Sequence, residues 1–160
     1  MLENLGIYYI GQNVNSYKSY DLRVFSKKDY QLYKKFGMKL MFENEEFYYG
    51  QPIYFANTFW DYTTIGAING IIYKIAIQIV GIKKELSNIV MKEVIHTINN
   101  SNGQFNIFKK SLFKKKYRWE NKKNGNVFLT NRQLFLKYYM NLILTSYEFS
   151  HYNISENEYK

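Results

Sequence analysis

The sequence predicts an α+β fold: a mainly antiparallel β-sheet with two helices packed on one face. Three observations carry this reading. Asn69-Gly70 stands between two strand-like runs, which is the strongest short hairpin signal a sequence offers. Lys84 to Asn99 places apolar residues at helical spacing. The other strand-like runs are joined by short turns, which leave no room for the crossovers a parallel sheet requires.

From the N-terminus, residues 5–10 read as a first strand ending at Gly11. Gln12–Ser19 reads as a turn into a short helix. Ser26-Lys27-Lys28-Asp29 has the spacing of a capping box, with Asp in place of Glu. A helix from about Lys27 to Phe36 then stops at Gly37. Met38–Phe42 and Glu46–Tyr49 read as extended. Gly50-Gln51-Pro52 is a turn, because Pro fixes its own φ and excludes Gln51 from the helical region. Ile53–Trp60 reads as one further strand.

Thr63–Ile68 and Ile71–Val80 are the arms of the Asn-Gly hairpin. In the second arm Tyr73, Ile75, Ile77 and Ile79 alternate with Lys74, Ala76 and Gln78, so one side is expected packed and the other wet. Gly81 is read as breaking the strand. In the helix that follows, Leu86, Ile89, Val90, Val94 and Ile98 form the stripe, widened by Met91 and Ile95. Asn99 to Gly103 terminates it. Phe105–Phe108 can start a strand. Lys114–Asn121 alternates Tyr117 and Trp119 against Lys116, Arg118 and Glu120. Lys122 to Gly125 reads as a hairpin turn, Asn126–Asn131 as a short strand, and Gln133–Ser146 as one long strand with Leu134 and Leu136 inward. Residues 150–160 read as a frayed tail.

The 160 residues fit one domain, residues 1–160, large enough to bury a core without a staple. There is no Cys, so disulfides, thiolate catalysis and cysteine metal sites are excluded. Lys, Asn, Ile and Tyr are abundant, a bias that AT-rich codons produce. The first residues lack the basic and apolar regions of a signal peptide, and the most apolar stretch, Ile65 to Ile82, is interrupted by Asn69, Lys74 and Gln78. A cytoplasmic protein with no membrane contact is the expectation.

Catalytic patterns are missing. His96 and His151 are the only histidines, and Glu93 with His96 makes one E-x-x-H pair where di-metal bundles use two. Glu43, Glu45 and Glu46 cluster beside a predicted turn, and Asp61 follows Phe59-Trp60. Either could serve acid–base chemistry only if burial separated the pKa values. Phosphate-cradling loops and nucleophile elbows do not occur. The expectation is therefore no catalytic residue, no metal and no cofactor.

The charge is the informative feature. From Lys109 to Lys123, eight cations stand against Glu120 alone, +7 of a formal +9. They are Lys109, Lys110, Lys114, Lys115, Lys116, Arg118, Lys122 and Lys123, interleaved with Phe108, Phe113, Tyr117 and Trp119. Such a field draws in acidic partners. Aromatic rings among cations also suit unpaired nucleic acid, the rings stacking on bases and the cations meeting phosphates. With Tyr117 and Trp119 turned inward, the same lysines become a charged edge that discourages strand pairing.

In layout, and in the lines Ile68-Asn69-Gly70-Ile71-Ile72-Tyr73-Lys74-Ile75 and Tyr117-Arg118-Trp119-Glu120-Asn121, the chain resembles small bacterial and phage-borne α+β immunity and inhibitor proteins. The resemblance implies a non-catalytic domain that neutralises one partner protein. These eight cations are then the expected contact for an acidic protein. A sequence-tolerant nucleic-acid binder using residues 109–123 is the alternative.

Overall fold

The computed structural model describes residues 2–20, 22–35, 40, 43–121 and 125–146. In chain order the strands are β1 (Asn4–Leu5), β2 (Tyr8–Tyr9), β3 (Arg23–Val24), β4 (Glu45–Gly50), β5 (Ile53–Phe55), β6 (Thr58–Trp60), β7 (Tyr62–Ile68), β8 (Ile71–Ile82), β9 (Ile107–Ser111), β10 (Lys114–Asn121), β11 (Gly125–Leu134) and β12 (Lys137–Thr145). A 3-10 helix spans Val14–Tyr20, α1 spans Lys27–Lys35 and α2 spans Lys84–Asn102. Eight strands form one antiparallel sheet in the order β3-β4-β7-β8-β12-β11-β10-β9, and β1-β2 and β5-β6 are separate small hairpins. The antiparallel α+β fold read from the sequence is the fold observed.

The Asn-Gly hairpin joins β7 to β8, with Asn69 at φ 51° and Gly70 at φ 78°, the left-handed pair a type I′ turn needs. The capping box also forms. Ser26 N and Oγ both donate to Asp29 Oδ2, at 2.7 and 2.8 Å, and Asp29 N donates back to Ser26 Oγ. Those bonds hold the Asp29 carboxyl below its ordinary range.

The main core lies on one face of the sheet. Ile75, Ile77, Leu142, Leu144, Val127 and Leu129 are buried there under Val90, Val94 and Ile98 of α2, with Leu5, Tyr8 and Trp60 from the small hairpins. The helices differ in placement. α2 packs on this core face, while Tyr30 and Tyr33 of α1 meet Phe25, Phe47 and Tyr49 at the β4 end of the opposite face.

Several elements depart from the sequence reading. In place of one strand over residues 5–10, residues 4–9 form a two-stranded hairpin that turns at Gly6, φ 59°. Ile53–Trp60 is likewise a hairpin, because Ala56 and Asn57 both adopt positive φ and close a two-residue turn. Gly81 bulges the strand, at φ 71°, and β8 runs on to Ile82. On α2 the buried residues are Ser87, Val90, Met91, Val94 and Ile98, while Leu86 and Ile89 are exposed. The apolar arc is wider than the contact, and the helix rests on its Ser87 side, where the small side chain permits close approach and bonds β11.

Lys74 is not on a wet side: it is only 4% exposed. A bulge on β8 inserts Tyr73 between the pairs Gly66↔Lys74 and Ala67↔Ile72, so Tyr73 leaves the Ile75 face and meets Phe47 and Gly66. The residues expected to form one long strand split instead. β11 extends to Leu134, Phe135-Leu136 turns, and β12 returns from Lys137. The helix end at Phe36-Gly37, the extended run Met38–Phe42 (except Leu40), most of the turn Lys122–Gly125, His151 and the tail at 150–160 fall outside the described residues.

Candidate functional site

The basic segment folds as the hairpin β9–β10, paired to β11 from Lys114↔Arg132 to Asn121↔Gly125. Side chains alternate across a sheet, so one run of cations is divided between two faces. Trp119 decides which. It is 1% exposed and its Nε1–H donates to Asn99 Oδ1 of α2 at 2.9 Å. Tyr117 lies on the same side, stacked near Trp119 and packed on Phe105.

The face opposite α2 therefore receives Lys114, Lys116 and Arg118. Cross-strand register adds Lys109, which pairs with Lys116, and Arg132, which pairs with Lys114. Arg132 lies nine residues beyond the basic run and was not picked out from the sequence; only the hairpin register reveals it. Tyr139 follows Arg132 across β12. The charges crowd one another. Partial burial first, then the charges of Lys116 and Arg132, push the Lys114 ammonium down to about 8. Arg118 is partly neutralised, with Nε 2.6 Å from Glu120 Oε1, and its guanidinium lies over the Phe128 ring.

Lys110 and Lys115 pair with each other on the α2 face. There they border a cleft of about 150 Å³, together with Lys84 and Asn88 of α2 and Lys114, Asn131, Gln133 and Tyr138 of the sheet. α2 begins at this cleft, and its N-cap, Lys83, supplies no side-chain cap. Asn131 is 8% exposed. Its Nδ2 donates to Ser87 Oγ at 2.8 Å and its Oδ1 is buried with no hydrogen-bond partner.

Next to the cleft the turns of β9–β10 and β11–β12 lie side by side, joined by the bond from Gln133 N to Phe113 O at 2.7 Å. These turns carry Leu112 (85% exposed), Phe113 (58%), Leu134 (44%), Phe135 (89%) and Leu136 (87%). The sequence reading had placed Leu134 and Leu136 in the core. It failed because Phe135-Leu136 offers no Gly, Asn or Asp to mark a turn. Lys122 and Lys123 lie outside the described residues.

The carboxylates named from the sequence are not brought together. Asp61 accepts from Val80 N of β8 at 3.1 Å, while Glu45 is buried at the other end of β7 and accepts from the Tyr73 hydroxyl. Glu46 accepts from Tyr48 Oη. His96 is exposed, beside Asn100. Among the described residues no group of three His, Cys, Asp or Glu could hold a metal, and no helix is long and apolar enough to cross a membrane. Comparison with protein-family models, with curated proteins and with solved structures finds no match.

Proposed function

We propose that the chain is a non-catalytic binding domain that recognises an acidic protein, in the manner of bacterial and phage immunity or inhibitor proteins in the cytoplasm. Its contact is the β9–β10–β11 face bearing Lys109, Lys114, Lys116, Arg118 and Arg132. The observation that supports this reading is the pairing of Lys114 with Arg132 and of Lys116 with Lys109 on one face. Cations that are partly buried and crowded, as Lys114 is with its ammonium lowered to about 8, gain from an incoming carboxylate. Arg118, Arg132 and Tyr139 are also residue types that anchor protein interfaces.

Nucleic acid fits less well. Phosphates would suit these cations, but Tyr117 and Trp119, the rings a single strand would stack on, pack on α2 and Phe105.

The test titrates labelled polyglutamate, single-stranded DNA and duplex DNA at low and moderate salt. The proteins are the wild type, the pair Lys116→Glu with Arg132→Glu, and the pair Lys110→Glu with Lys115→Glu. Polyglutamate association slowed by the first pair and little changed by the second is the expected result. Equal loss in both pairs would remove the assignment to this face. Tight DNA binding with a steep salt dependence would favour the alternative.

A further inference from the structure

A second surface, on the other side of the same hairpin, combines three features. The first is the cation-lined cleft of Lys84, Lys110, Lys114 and Lys115, where α2 begins without a side-chain cap. The second is Asn131, which lines the cleft with one amide atom unpartnered. The two ends of an amide are interchangeable in shape. Turned over, Oδ1 accepts from the Ser87 hydroxyl, and the buried unpartnered end is the Nδ2 donor. The third is the apolar tip beside it, where Leu112, Phe135 and Leu136 are each more than four-fifths exposed.

A soluble anion would use the cleft and leave the tip without purpose. A protein partner fits the tip poorly, because lysines are depleted at protein interfaces and leucine is under-represented among their anchors. A second copy would bring one cationic end against another. Leucine and phenylalanine ringed by lysine are what an anionic lipid interface takes: the apolar side chains enter the acyl boundary and the lysines meet headgroups.

Backbone geometry agrees. Phe135 sits at φ 55°, a conformation costly for a bulky residue and natural for Asn or Gly. Gln133 holds the turn in place, donating from Nε2 to Phe135 O at 2.9 Å. A large apolar side chain is thus kept where a small polar one would fold better.

We propose that this end of the molecule docks on an anionic phospholipid surface, a headgroup phosphate entering the Lys84–Lys110–Lys115 cleft and Leu112, Phe135 and Leu136 entering the acyl boundary. This is contact with a surface, not a membrane span; it shares Lys114, which also lines the cleft, with the acidic-protein face.

The experiment is co-sedimentation of the whole chain with vesicles of phosphatidylcholine alone or mixed with phosphatidylglycerol. Binding only to the mixed vesicles is expected. Lys110→Glu with Lys115→Glu should weaken it by about tenfold or more, since each basic residue at such a surface contributes about fivefold. Phe135→Asn with Leu136→Ser should weaken it by about tenfold or more through lost apolar burial, at unchanged or raised melting temperature. That last result separates lost docking from lost folding. Inorganic phosphate alone, followed by the Asn131 side-chain amide resonance, is the soluble arm. A shift there without vesicle binding would reassign the cleft to a soluble phosphate and overturn the proposal. Equal binding to both vesicle types, full binding by the Phe135 variant, or tip-dependent binding of polyglutamate with none to vesicles would each overturn it as well.

Discussion

Trp119 Nε1 donates to Asn99 Oδ1 at 2.9 Å, joining the strand that carries the basic run to the last turns of the helix that covers the core. This bond fixes which side of β10 is interior, and so which lysines stand on which surface.

Asn99→Ala removes the acceptor and leaves a buried indole N–H unpaired. The expected cost is about 1–3 kcal/mol in urea unfolding. An unchanged midpoint would mean the indole finds another partner and the bond does not set the strand's orientation.

Gly125 begins β11 at φ 116°, and a Cβ there would stand 2.0 Å from the Thr145 carbonyl oxygen. Gly125→Ala is therefore expected to destabilise by about 2 kcal/mol or more, from a strained backbone and an obstructed neighbour. Calorimetry that finds wild-type melting would show that the β10–β11 hairpin reaches its register in some other way.

Lys114 gives a pH prediction. Its folded value, about 8, lies below its ordinary value near 10.5. Between these values the unfolded chain holds the proton more firmly, so stability rises with pH across that window. Lys114→Gln should therefore be more stable than wild type below pH 8, and the advantage should shrink toward about pH 10. A constant gap across the window would show that burial and the charges of Lys116 and Arg132 do not lower this ammonium.

Tyr73→Phe removes the hydroxyl that donates to the buried Glu45 carboxylate. The expected loss is about 2 kcal/mol, as for other hydrogen bonds to a charged group. Tyr73 reaches Glu45 only because of the β8 bulge, so a neutral outcome would question the bulge as well as the bond.

What the sequence revealed was what local chemistry controls. Asn69-Gly70, the Ser26–Asp29 box and the Tyr117/Trp119 alternation each act within a few residues, and each is found as read. Features set by tertiary contact were hidden. Ala56 and Phe135 take positive φ although neither is Gly, Asn or Asp, so the turns at Ala56-Asn57 and Phe135-Leu136 were read as strand interior. Lys74, outward by alternation, is buried, and the neighbouring bulge moves Tyr73 off the Ile75 face. For the candidate surfaces, the cations were visible, but Arg132 joined them only through register. The exposed tip was read as core because its turn carries no marker.

Membership of either surface on β10 is a matter of parity: even-numbered residues report to one side, odd-numbered ones to the other. A one-residue deletion inside the strand would exchange the two sets and drive a lysine or arginine toward the place Trp119 occupies. Length changes should therefore be rejected within Lys114–Asn121. A linear peptide of residues 109–123 would carry the eight cations of the basic run and reproduce neither surface.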